Sequence, residues 1–143
     1  MRAFTCFLSA KFGLGDARDL LPHCDRVLTD ADADRMISAQ TWGCYPELPQ
    51  NSRMTTAAKL RAATRHGPQR SPSGVLTLLE RELGQPFRDG AICGGHRYVR
   101  VACSWLPDFR AMRQVADDAP VTVINAPIGL MRARLRAWLA QER

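Results

Sequence analysis

"GAICGGHRY", residues 90–98, decides how this chain is read. The apolar run 90–93 is short, bounded by glycine, and suited to a buried strand. It breaks into Gly94-Gly95 and then into a helical stretch running to about Leu106, where Pro107 is expected to end it. A strand, a tight glycine turn and a helix make the first half of a crossover unit. Residues 121–125, Val-Thr-Val-Ile-Asn, supply the next strand. Pro127 then opens a last helix, with Ile128, Met131, Leu135, Trp138 and Leu139 on one face and Arg132, Arg134 and Arg136 around the rest.

Upstream, residues 3–8 read as a strand that leaves into the small turn Ser9–Gly15, and 13–28 read as irregular. Thr29 or Asp30 caps a helix over about 30–42, stopped by Gly43. After a loop at 43–53, a helix spans 54–66, with Leu60 and alanines on one side and Lys59, Arg61 and Arg65 on the other. Gly67-Pro68 ends it. Ser71-Pro72 starts the next, with Val75, Leu78 and Leu79 as its core face and Gly84 as its stop. A further helix is expected over 108–116. Strands alternating with helices predict an α/β fold. The expected form is a single domain over 1–143, a three-layer α/β/α sandwich with a small, mostly parallel sheet.

The composition fits an ordinary soluble domain, with 45% apolar and 24% charged residues. No apolar run approaches the roughly 20 residues that cross a bilayer, and the start is too short for a signal-peptide core. A cytoplasmic protein without a membrane partner is expected. The cysteines are Cys6, Cys24, Cys44, Cys93 and Cys103, an odd number with no Cys-x-x-Cys pair. That argues against a disulfide framework or a structural zinc site and for free thiols. Neither a metal nor a cofactor is expected. Net charge is +6 and almost all of it is arginine, which suits planar phosphate or carboxylate partners. Nucleotide or nucleic acid is the leading partner; a GC-rich genome produces the same arginine bias. The cluster Lys59, Arg61, Arg65 and Arg70 suits a phosphate backbone or a solvated helix face.

In parallel sheets, ligands lie beyond the carboxyl ends of the strands. If the three strands are parallel, their exits gather Ser9, Lys11, His96, Arg97 and Asn125 at one edge. Gly94-Gly95 would let a backbone approach a ligand closely, and the following helix offers free N–H groups to a phosphate or carboxylate. The same pair also makes an ordinary tight turn, and no full dinucleotide or P-loop fingerprint is present. His96 can take a proton as a base, donate a hydrogen bond, or simply sit at the surface. Asp25 can serve as a catalytic carboxylate, bind a ribose, or stabilise its own loop. His23 and Cys24 beside it suggest a nucleophile, but nothing ties them to a base.

"FLSAKFGL" with "LLPHCDRVL", and later "AICGGHRYVRVACSWL" and "VINAPIGLMRARLRAWL", resemble an uncharacterised family of phage and bacterial α/β domains. That family carries a strand ending in Ser-Ala-Lys-Tyr/Phe-Gly-Leu. It is distantly similar to uracil-DNA-glycosylase-like domains and to the lysine-transferring domain of archaeosine synthase. The resemblance covers residues 3–28 and 90–140. It implies base processing on nucleotides or nucleic acid, by glycosidic cleavage or group transfer, with Ser9, Lys11, Gly13, Asp25, Gly95, Arg97 and Tyr98 lining the site. Members usually open with a further strand, which this chain is expected to lack, and they have tyrosine where Cys24 stands. In the enzymatic form of this expectation Lys11 and Arg97 hold phosphate, Asp25 acts as base and Tyr98 stacks or donates a hydrogen bond. The other forms are a non-catalytic nucleotide or nucleic-acid binder, such as a phage anti-defence factor, and a protein whose arginine-rich helices dock on an acidic partner. A homo-oligomer that completes the site belongs to the same set of expectations.

Overall fold

The computed structural model describes residues 3–20, 24–47, 53–66 and 69–141, with backbone alone over 62–66. Its elements in chain order are β1 (Cys6–Ser9), β2 (Gly13–Asp16), α1 (Asp30–Ser38), α2 (Thr56–His66), α3 (Pro72–Leu83), β3 (Gly90–Cys93), α4 (His96–Ala111), β4 (Val121–Ile124) and α5 (Ile128–Leu139). Helices and strands are thus mixed, as expected. The strands form two separate pairs, β1 with β2 antiparallel and β3 with β4 parallel.

The hairpin replaces the irregular stretch expected after residue 13. "GLGD" shows no apolar alternation, so its strand character is invisible locally. What makes it a strand is packing. Gly13 adopts φ +66°, and a Cβ there would lie 2.6 Å from the Tyr45 ring; a Cβ on Gly15 would lie 2.1 Å from the Phe7 ring. Two aromatic rings occupy the space that side chains would need. Because β1 pairs with β2 rather than with β3 or β4, its exit does not join the carboxyl edge of the parallel pair.

Thr29 caps α1 through a reciprocal box with Asp32: the Asp32 N–H donates to Thr29 Oγ1 at 3.1 Å and the Thr29 N–H donates to Asp32 Oδ2 at 3.2 Å. The helix stops at Ser38, short of the expected 42, and a 3₁₀ turn over Gln40–Trp42 follows, with Gln40 at φ 54°. Ser71 and Pro72 open α3 and Gly84, at φ 79°, closes it. Val75 and Leu79 are buried, but Leu78 is exposed, at the margin of the face rather than in it.

Pro107 does not end α4. Val101, Trp105 and Phe109 recur every fourth residue and are all buried, so the helix carries its apolar stripe through the proline to Ala111. The expected separate helix at 108–116 is therefore the end of α4. It terminates in a Schellman turn: Arg113 takes φ 58°, its N–H donates to Arg110 O at 2.8 Å, and the Gln114 N–H donates to Phe109 O at 2.9 Å.

The core joins α1, α4 and the hairpin turn through Ala10, Leu28, Ala33, Met36, Tyr45, Val101, Trp105 and Phe109. Trp105 is 1% exposed and its indole N–H donates to Met36 O at 3.4 Å. Arg18 fixes the hairpin to α3 by pairing with Asp16 (2.5 Å) and Glu82 (2.7 Å). Gln114 fixes the end of α4 to α3, donating to Ser73 O at 2.8 Å and Thr77 Oγ1 at 2.6 Å. Both α4 and α5 pack against β3. In α5 only Met131, Leu135 and Trp138 of the expected apolar face are half-buried; Ile128 and Leu139 are exposed. Among the described residues no helix is long and apolar enough to cross a membrane.

Candidate functional site

The carboxyl ends of β3 and β4 are tied together. The Gly94 N–H donates to Ile124 O at 3.1 Å, and Asn125 Nδ2 donates to Gly94 O at 2.8 Å. Both strands run out here in parallel, so α4 and α5 begin at the same edge. Gly95 is the N-cap of α4, in extended conformation with no side chain to accept from the first turn, and that turn holds no acid. The leading N–H groups of a 16-residue helix are left facing outward.

They border a cleft of about 530 Å³ lined by Gly95, His96, Arg97 and Tyr98 on one side and by Val27, Leu28 and Asp30 on the other. That volume is in the range of small-molecule sites, about 300–1,000 Å³. Arg97 forks onto Asp30, with Nε 2.7 Å from Oδ1 and Nη2 3.2 Å from Oδ2. The hydrogen bond from Arg97, reinforced by its charge and by Arg100 and His96 nearby, holds the Asp30 carboxyl below its ordinary range. The Asp30 carboxylate raises Arg97 in turn. Arg100 pairs with Asp34 one turn along α1, so the two helices are joined twice. Tyr98 is half-buried against the core, and its hydroxyl accepts the Leu28 N–H at 3.3 Å.

A second cleft, of about 200 Å³, includes Lys11, Arg26, Asp32, Arg35, Tyr45 and Glu47 in its wall. Asp32 is buried and accepts from Arg26 Nη2 at 2.6 Å and from Arg35. Burial pushes its carboxyl up, but hydrogen bonds from the Thr29 side chain and backbone and from Arg26 outweigh that and bring it down to about 2. The small volume and the mutual neutralisation suit a structural ion cluster better than a nucleotide.

The expected site residues therefore divide. Gly94, Gly95, His96, Arg97, Tyr98 and Asn125 lie together at the β3–β4 edge. Lys11 lines the other cleft, its Nζ 5.3 Å from the Phe12 ring centre. Ser9 Oγ accepts the Lys11 and Phe12 N–H groups, both at 3.2 Å, and Gly13 supplies the positive φ of the same turn. Asp25 is exposed and lines neither cleft. Cys24 is half-buried, and His23 lies outside the described residues. Of the expected basic cluster, Arg70 is paired with Asp19 at 2.5 Å, Lys59 and Arg61 are exposed, and the Arg65 side chain lies outside the described residues.

Asp30 was legible as a helix start but not as a partner of Arg97, which is 67 positions away. No group of three or more His, Cys, Asp or Glu residues suited to a metal occurs among the described residues. Compared with family models, with curated proteins and with solved structures, the chain matches none.

Proposed function

We propose that the protein binds a phosphate-bearing ligand, a nucleotide or nucleic acid, in the cleft between the β3–α4 turn and residues 27–30. The observation that carries this reading is the unblocked first turn of α4 opening onto a ligand-sized cleft beside a guanidinium, an imidazole and a phenol. Phosphate would take the leading N–H groups of α4 and Arg97, and Tyr98 would offer a ring to the base or ribose. The packing of α4 and α5 on the parallel pair supports reading the chain as a small three-layer α/β/α sandwich. Base processing, the activity implied by the resemblance of the Ser-Ala-Lys and Gly-Gly segments, would draw on His96 as the proton-transferring group in this cleft. Asp25 stands outside the cleft, so binding is the better supported half of the reading.

Gly95→Asp tests it. The backbone at Gly95 is extended at φ −67°, and a Cβ there meets nothing within 4 Å, so the fold admits a side chain. An aspartate would cap α4 itself, adding a few tenths of a kcal/mol at most to stability, and would place its carboxylate where phosphate is expected. Calorimetric titration with deoxythymidine monophosphate should show binding by the wild type and none by the variant, at unchanged Tm. Equal binding by the two proteins, or none by the wild type, refutes the reading.

A further inference from the structure

Six arginines among the described residues are held by carboxylates. Arg18 is paired with Asp16 and Glu82, Arg26 and Arg35 with Asp32, Arg70 with Asp19, Arg97 with Asp30 and Arg100 with Asp34. Helix α5 offers no such partner along its own length. It carries Arg132, Arg134 and Arg136 and no acid. All three are exposed, and none has an ion-pair partner among the described residues.

Helical geometry arranges them. Met131, Leu135 and Trp138 share the side turned to the sheet and are half-buried. Opposite them run Gly129, Ala133 and Ala137, four residues apart and all exposed. Arg132 and Arg136 flank that strip on one side, one turn or about 6 Å apart, and Arg134 flanks it on the other. A smooth lane about 12 Å long is thus bordered by arginines on both sides. The lane begins at the strand edge from which α4 also starts, where Asn125 is bonded to Gly94.

We propose that α5 is a track for a polynucleotide backbone, so that the ligand of the cleft belongs to a nucleic-acid strand rather than being a free nucleotide; this rests on the reading above. One phosphate cannot meet three arginines spread along a helix and the first turn of α4 together. A chain of phosphates can. The lane lacks a large side chain in its centre; of the exposed apolar residues, Ile128 and Leu139 stand at opposite ends of the helix and Leu130 at the margin of the lane. That is not the continuous apolar face with which an amphipathic helix enters a bilayer. Arginine rather than lysine on every charged position favours forked contact with phosphate.

The test uses anisotropy of a fluorescein-labelled single-stranded dT12 oligonucleotide and, in parallel, calorimetry with deoxythymidine monophosphate. The triple variant R132Q/R134Q/R136Q should bind dT12 at least tenfold more weakly, with a salt slope shallower by about 2. Its affinity for the mononucleotide should be unchanged. An equal-charge control, K59Q/R61Q/R81Q, should retain oligonucleotide binding. Wild type that binds the mononucleotide but not dT12 overturns the track and leaves the cleft reading standing; binding of neither removes both. The track is also overturned if the control loses as much as the α5 variant, if the α5 variant loses mononucleotide binding equally, or if polyglutamate or phosphatidylserine vesicles compete better than dT12.

Discussion

The Arg97 guanidinium lies fork-on-fork against the Asp30 carboxylate, at 2.7 and 3.2 Å, across the mouth of the β3–α4 cleft. The pair joins the first turns of α1 and α4, and it also spends part of the positive charge that the cleft would offer an anion. Both side chains are well exposed, so the pair matters more for ligand choice than for stability. Asp30→Asn should therefore strengthen binding of phosphate-bearing ligands severalfold with little change in Tm. Calorimetry with deoxythymidine monophosphate checks this; weaker binding would mean that Asp30 positions Arg97 rather than masking it.

Asp32 gives the fold an acid-sensitive point. Its folded-state carboxyl, at about 2, lies below the ordinary value of 3.8. A depressed acid contributes stability above its unfolded value and loses it as pH falls toward the folded one. The contribution is on the order of 2 kcal/mol and should fade between about pH 4 and pH 2. Urea unfolding followed by circular dichroism at stepped pH should show that loss in the wild type and a flatter profile in Asp32→Asn. Parallel profiles would assign the acid sensitivity to other carboxylates.

Thiol reactivity should separate by burial. Desolvation, with Asp16 adding to it and Arg18 opposing, pushes the Cys6 thiol up to about 11. At pH 8 only about a thousandth of it is thiolate. Cys44 and Cys93 are exposed. Timed alkylation with iodoacetamide and peptide mass spectrometry should find Cys44 and Cys93 modified well before Cys6. Early modification of Cys6 would show that the hairpin opens.

Gly13 and Gly84 both hold a positive φ, but only Gly13 faces an obstacle. A Cβ at Gly84 meets nothing within 4 Å, whereas one at Gly13 would lie 2.6 Å from Tyr45. Alanine at Gly84 should cost about 1–2 kcal/mol from the backbone alone. Alanine at Gly13 should cost more, by the work of displacing a buried ring. Chemical denaturation of both variants measures the difference, and equal costs would show that Tyr45 yields freely.

Elements whose signals are local were legible in the sequence. Ser71-Pro72 opens α3 and Gly84 closes it, and residues 90–93 form β3 with the read bounds, because caps and short apolar runs act through their immediate neighbours. Elements fixed by distant packing were not. β2 needs Tyr45 and Phe7 to fill the space above its glycines, and α4 needs the core around Trp105 to carry it past Pro107. The site divides in the same way. Gly94 through Tyr98 are consecutive and follow one strand end, so reading the turn reads them all. Lys11 was grouped with them by assuming that β1 joins the parallel strands, and the antiparallel hairpin separates them. Asp30 enters only through the fold.

The bond from the Leu28 N–H to the Tyr98 hydroxyl has a practical consequence. Leu28 is 1% exposed, so its amide is shielded by burial and by a single phenol rather than by a helix or strand ladder. Any movement of the Tyr98 ring must release that one proton to solvent. The Leu28 amide is thus a native exchange probe for the wall of the cleft, readable by hydrogen–deuterium exchange without any label or substitution.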